Sequence, residues 1–239
     1  MDALFGNING NWCDQPDAAV SENMLKGLSP FDNIDVVLIS HNHADHFNES
    51  MTVSFLKNNP KAVLICPKQL NETLKSNQEY ANISGRIIPL IAGNIFDSTL
   101  SINGINIRII RINHGSYIDI DTATGKKYDR HKDVENPGYM IEMNGFKMFH
   151  AGDDSPGNEA QYSEYKIAGN EIDITFLNRT FLSRDGQELI GKYLHSKNII
   201  FMHVDQGKAD YYKSVIQSVP EMSVFSSSLE KKIFSKVSN

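Results

Sequence analysis

A short apolar, β-branched run over 34–40 ends abruptly in His41-Asn42-His43-Ala44-Asp45-His46, three histidines and an aspartate within six residues. Packing does not account for such a concentration. Imidazole and carboxylate are the nitrogen and oxygen ligands that zinc accepts, and residues two apart in extended chain face the same way, so His41 and His43 can share an ion. Asp45 and His46 follow as the chain turns towards the next helix and can face a neighbouring ion. A plainer reading makes the segment a polar turn that closes a strand, with Asp45 as the helix N-cap. The clustering of three imidazoles beside one acid favours the metal.

Further apolar runs at 62–66, 105–112, 139–143, 146–150, 172–177 and 199–202 also read as strands. Asn103-Gly104 and Asn144-Gly145 are the dipeptides that best tolerate the positive φ angles of tight hairpin turns. Helical spacing of apolar residues marks 17–26, 49–58, 68–76, 187–194 and 209–218. Hairpins argue against a purely parallel sheet and the helices against an all-β sandwich, so layered sheets covered by helices fit best. The polar stretch 115–137 is longer than ordinary connections, and its 121–137 portion is a candidate active-site loop; 225–239 reads as a tail or a last helix. No linker or repeat divides the 239 residues, which implies one domain.

Several histidines and aspartates elsewhere follow strand-like runs. The order of these residues resembles the ligand set of the metallo-β-lactamase superfamily, whose HxHxDH signature matches 41–46. His114 in Arg-Ile-Asn-His-Gly, Asp153 in Phe-His-Ala-Gly-Asp-Asp and His203 in Ile-Ile-Phe-Met-His-Val match the remaining ligands. The resemblance implies an α/β fold, the four-layer αββα sandwich. It also implies one ion held by His41, His43 and His114, a second held by Asp45, His46 and His203, and Asp153 between them. Two divalent ions, zinc by default with manganese or iron also compatible, would share a hydroxide that cleaves an ester, lactone or phosphodiester bond, with Asp45 and Asp153 as catalytic carboxylates. The family's redox branch usually has a carboxylate where this chain has His43, so hydrolysis is implied. The layout is most similar to that of the ascorbate-6-phosphate lactonase-like hydrolases. A metal-binding scaffold without turnover and a nucleic-acid processing enzyme are the alternatives.

Around the long loop, His131, Tyr117 and Tyr139 are candidate substrate contacts, and Arg179 is a candidate partner for an anionic group. His150 and His195 read as structural or solvated. The net charge of −6, without a Lys/Arg run, disfavours nucleic acid and leaves a small-molecule substrate. Cys13 and Cys66 form neither a CxxC pair nor a disulfide framework. No apolar stretch is long enough to span a bilayer and no signal peptide is legible, so a cytoplasmic protein is expected as the sequence is written. By the resemblance an opening strand pair should precede Met1, with Asp2 as the aspartate that closes it and orients ligands from outside. Loss of those strands would hide any export signal and leave a sheet edge open, a hazard that a homo-oligomer would meet.

Overall fold

The computed structural model describes residues 1–6, 17–91, 97–227 and 229–235. In chain order the strands are β1 (Val36–Leu38), β2 (Val63–Pro67), β3 (Ile87–Leu90), β4 (Ser98–Ile102), β5 (Ile105–Arg111), β6 (Ile118–Ile120), β7 (Lys127–Asp129), β8 (Pro137–Met143), β9 (Phe146–His150), β10 (Ile174–Asn178), β11 (Ile199–Met202) and β12 (Met222–Val224). The helices are α1 (Ala18–Leu25), α2 (Glu49–Asn58), α3 (Lys68–Lys75), α4 (Tyr80–Ile83), α5 (Glu159–Glu164), α6 (Arg184–Tyr193) and α7 (Ala209–Ile216). A parallel three-stranded sheet has the order β1-β2-β3, and a seven-stranded sheet the order β12-β11-β10-β9-β8-β5-β4.

Three apolar clusters fix the layering. Leu38, Ile65, Ile107, Ile109, Tyr139 and Ile141 pack the two sheets face to face. Met24, Phe55, Leu56, Leu70 and Ile83 cover the outer face of the small sheet with α1 to α4. Tyr162, Leu189, Ile190 and Ile216 cover the large sheet with α5 to α7. Helices, two sheets and helices thus form the expected mixed α/β layers, each sheet burying both faces as such architectures require. Cys66 lies in this core, and burial pushes its thiol up to about 12, which makes it inert. Cys13 falls outside the described residues.

The hairpin signals correspond to real turns: Asn103 and Gly104, and Asn144 and Gly145, all have positive φ, joining β4 to β5 and β8 to β9. Strand β3, which sequence reading left out, contains Pro89 and lies at a sheet edge, where a missing N–H does least harm. The α6 helix starts earlier than its periodicity suggests because Ser183 Oγ accepts from Gly186 N at 3.2 Å and caps it. Asn48, not Asp45, caps α2, accepting from Met51 N at 3.0 Å, so the plainer reading of Asp45 fails. The polar stretch 115–137 carries its own hairpin, β6–β7. The described residues of 225–235 form no helix or strand. Residues 2–4 run beside β1, with Asp2 N donating to Leu38 O at 2.9 Å and Leu4 bridging Phe47, so that part of this edge is covered. Among the described residues, no helix is long and apolar enough to cross a membrane.

One side chain ties the small sheet to its helices. The Arg86 guanidinium donates to Leu56 O at 2.6 Å, Ala62 O at 2.9 Å and Asn59 O at 3.1 Å, gathering carbonyls from the end of α2 and from the turn that leads to β2. Arg86→Ala is expected to lower unfolding stability by about 1–3 kcal/mol, since those carbonyls lose a charged donor. Urea denaturation of the two proteins measures this, and an unchanged midpoint would contradict the assignment.

Candidate metal centre

The strands β5, β9, β10 and β11 run in one direction, so their carboxyl ends share an edge of the large sheet, and β1 ends beside them. His114 follows β5, Asp153 follows β9, His203 follows β11, and the 41–46 segment follows β1. The structure brings them into two groups. His41, His43 and His114 form one; Asp45, His46, Asp153 and His203 form the other, and within each the ligand atoms lie within 4.8 Å of one another.

Outer contacts decide which ring nitrogen points inward. Ser40 Oγ lies 2.9 Å from His41 Nδ1 and donates its own proton to Asp2 Oδ2 at 2.7 Å, which turns His41 Nε2 to the centre. Asp2 Oδ2 is also 3.0 Å from His46 Nδ1, freeing His46 Nε2, and its Oδ1 accepts from Ser40 N at 2.7 Å. His114 Nδ1 is 2.8 Å from Gly115 O. The consequence is a convergence of lone pairs: His41 Nε2 lies 3.1 Å from His43 Nδ1, and His114 Nε2 is buried with no hydrogen-bond partner. A buried imidazole nitrogen left unpaired is costly unless a cation meets it, so the residues present fit a divalent ion.

Asp153 stands between the groups. Its Oδ2 lies 2.9 Å from His203 Nε2, 3.8 Å from His114 Nε2 and 4.0 Å from His41 Nε2, and its Oδ1 lies 3.4 Å from His46 Nε2. Asp45 Oδ2 approaches His203 Nε2 at 2.8 Å and His46 Nε2 at 3.1 Å. The Asp153 turn is built by its neighbours. Gly152 has φ +59, and a Cβ there would lie 2.2 Å from Asn136 Oδ1, the atom that accepts from Asp153 N at 3.0 Å. Asn178 Nδ2 reaches Asp153 Oδ1 at 3.3 Å. His203 itself adopts φ +60, a conformation uncommon for a residue with a side chain.

The two groups differ electrostatically. Burial pushes His43 down to about 4, with the charges of His114 and His131 adding to it, and burial also lowers His41 and His114. For His203 and His46 burial acts in the same sense, but the carboxylates outweigh it: Asp153 and Asp45 raise His203 to about 9, and Asp2, Asp153 and Asp45 raise His46 well above its usual value. Burial opposes ionisation of Asp45 and Asp153, yet hydrogen bonds from His203 and His46 hold both below the usual carboxylate range.

The candidate substrate contacts fare differently. His131 packs against the rim: its ring centroid is 4.2 Å from that of His114 and 4.8 Å from that of His43, with Nδ1 3.0 Å from the same Gly115 O. Tyr117 is 52% exposed and 5.6 Å from His131. Tyr139 is a correction. It is 1% exposed, and its hydroxyl donates to Ile39 O at 2.8 Å, because the alternation along β8 turns it between the sheets. Arg179 is also engaged within the fold, pairing with Asp205 at 2.9 Å. His150 is buried 3.5 Å from Asp2 Oδ2, in keeping with its structural reading. Ser40, Asn136 and Asn178 escaped sequence reasoning; nothing in their local pattern distinguishes them.

Two stacked sheets with imidazole and carboxylate groups converging at their common edge define a class of metal-binding α/β proteins. A family model described as Beta-lactamase superfamily domain matches residues 2–209, and the chain belongs to that family. It is similar to a UPF0173 metal-dependent hydrolase of Methanosphaerula palustris, 24% identical over 212 residues, which cover 84% of each chain. A UPF0173 metal-dependent hydrolase of Polaromonas sp. is 27% identical over 132 residues, 54% of this chain and 44% of that relative, so this match spans under half the relative's length. Among solved structures, the metallo-β-lactamase fold protein YhfI of Bacillus subtilis has a TM-score of 0.53 at 13% identity, covering 92% of this chain and 87% of that one, a likeness of fold.

The electrostatic contrast predicts how protons leave on metal uptake. An ion requires neutral imidazole, so at about pH 7.5 filling the Asp45 group should release protons from His46 and His203, and more of them than filling the His41 group. Lowering the pH adds competing protons to His46 and His203 first, so the Asp45 group should empty before the His41 group. Calorimetric Zn2+ titrations in buffers of different ionisation enthalpy measure the release, and equal release in both steps would refute the contrast.

Proposed function

We propose that this chain is a metal-dependent hydrolase holding two divalent ions, one at His41, His43 and His114 and one at Asp45, His46 and His203, with Asp153 between them. The observation that carries the reading is the convergence of His41 Nε2, His43 Nδ1 and the unpartnered, buried His114 Nε2 beside a second group that shares Asp153. Zinc is the first candidate because the ligands are mostly imidazole, with manganese and iron as alternatives. When bound, two such ions lower the pKa of a water molecule and polarise the bond under attack. The names of the UPF0173 relatives support the same reaction class.

The chain's own residues supply orientation and recognition. Asp2, through Ser40 and His46, fixes which ring nitrogens face the centre, and Asp45 and Asp153 bring the negative charge that retains two dications. His131 and Tyr117, at the rim, are the proposed substrate contacts. The substrate is a small molecule with an ester, lactone or phosphodiester bond and anionic character, and the net charge of −6 argues against a nucleic acid.

A metal-loaded screen across lactones, thioesters, phosphodiesters and β-lactams tests this, with His43→Ala as the blank. Loss of a ligand should cost more than the roughly 10–100-fold seen when an outer partner is removed. Turnover surviving undiminished in His43→Ala would defeat the proposal.

A further inference from the structure

Arg179 looked in sequence like a free cation for an anionic substrate, and its true partners suggest another task. It follows β10 directly, next to Asn178, whose amide reaches Asp153. The register pairs Asn178 with Met202, so the residues that follow, Arg179 and His203, leave neighbouring strand ends side by side. Arg179 Nη2 lies 2.9 Å from Asp205 Oδ1 and its Nε 3.4 Å from Asp205 Oδ2. The same Nε donates to Tyr212 Oη at 3.0 Å, and the Tyr212 hydroxyl donates to Asp205 Oδ2 at 2.7 Å. Three elements, the turn after β10, the turn after β11 and helix α7, are thus closed into one ring of charge-assisted hydrogen bonds.

The residue this ring brackets is His203, two positions before Asp205 and in the left-handed region at φ +60. Left-handed backbone is uncommon for any residue with a side chain, and a turn pinned on its far side helps to hold it there. Asp205 and Arg179 are about a third exposed, so the pair adds little to global stability, and its effect is directional.

We propose that Arg179, Asp205 and Tyr212 are positioning residues for the second metal group alone: they clamp the turn that presents His203 Nε2 to Asp45 and Asp153. Among the described residues no such ring reaches the His41 group, whose rings are aimed through Ser40, Asp2 and Gly115. The proposal rests on the two-metal reading above. It assigns to the clamp a share of the second group's metal affinity, without contact to ion or substrate.

Zn2+ titration against a chromophoric chelator tests it, with His114→Ala and His203→Ala identifying the two steps. Asp205→Asn and Tyr212→Phe should each weaken the second step by about 10–100-fold and leave the first step and the thermal midpoint near wild type. Arg179→Lys, which keeps the charge and loses the fork, should fall between Arg179→Ala and wild type. Co2+ absorption supplies a second reading, since only the component lost in His203→Ala should change. An unchanged second step, or equal weakening of both, in a well-folded Tyr212→Phe protein overturns the clamp alone. A wild-type chain that binds fewer than two ions overturns the two-metal reading and the clamp with it.

Discussion

Asp2, Asp45, Asp153 and the five imidazoles of the two groups lie close together at the meeting edge of the two sheets, largely shut off from water, with His150 beside Asp2. Asp2, Asp45 and Asp153 gain their ionised forms only because His46 and His203 answer them, and burial opposes every one of these charges. Removing one partner would strand the other, a far larger penalty than the net contribution of a satisfied pair. The layers around the site can be understood from this constraint. Tyr139 spans the sheets to Ile39 just before His41, and Asn136 and Asn178 hold Asp153 from either side, so groups that electrostatics would otherwise scatter keep fixed distances.

The asymmetry between the two groups follows from where the acids fall. The His41 group is imidazole only and burial keeps it neutral, a set of lone pairs without protons. The Asp45 group contains two acids and retains protons until something more highly charged displaces them. One protein edge thus presents two electrostatically different groups, and the elements around them overlap only in part: Asp2 at the start of the chain reaches both, through Ser40 to His41 and directly to His46, whereas the β10, β11 and α7 junction lies beside His203 alone.

The sequence revealed what is local. The 41–46 cluster, the two Asn-Gly hairpins and the α2 helix over Glu49–Asn58 could be read directly, since their signals lie within a few consecutive residues. His114, Asp153 and His203 became legible through their order along the chain, each after a strand. What stayed hidden depends on neighbours distant in sequence. Arg179, Asp205 and Tyr212 meet only once β10 and β11 lie side by side, and Asn136 becomes significant only when the Gly152 turn folds against it. Tyr139 was misread because proximity to a polar loop says nothing about the direction in which a strand residue points.

The Gly115 carbonyl accepts from both His114 and His131, and the β6–β7 hairpin meets the body of the protein through that atom and the contacts beside it. The hairpin's outer end, around Asp121 and Gly125, is closed by its own backbone bonds. Such an arrangement separates inheritance from invention: the root of the hairpin is tied to His114 and tolerates little drift, while its tip is free to change length and chemistry. A lineage, or an engineer, could therefore change the chemistry of the tip without disturbing the two imidazoles at its base.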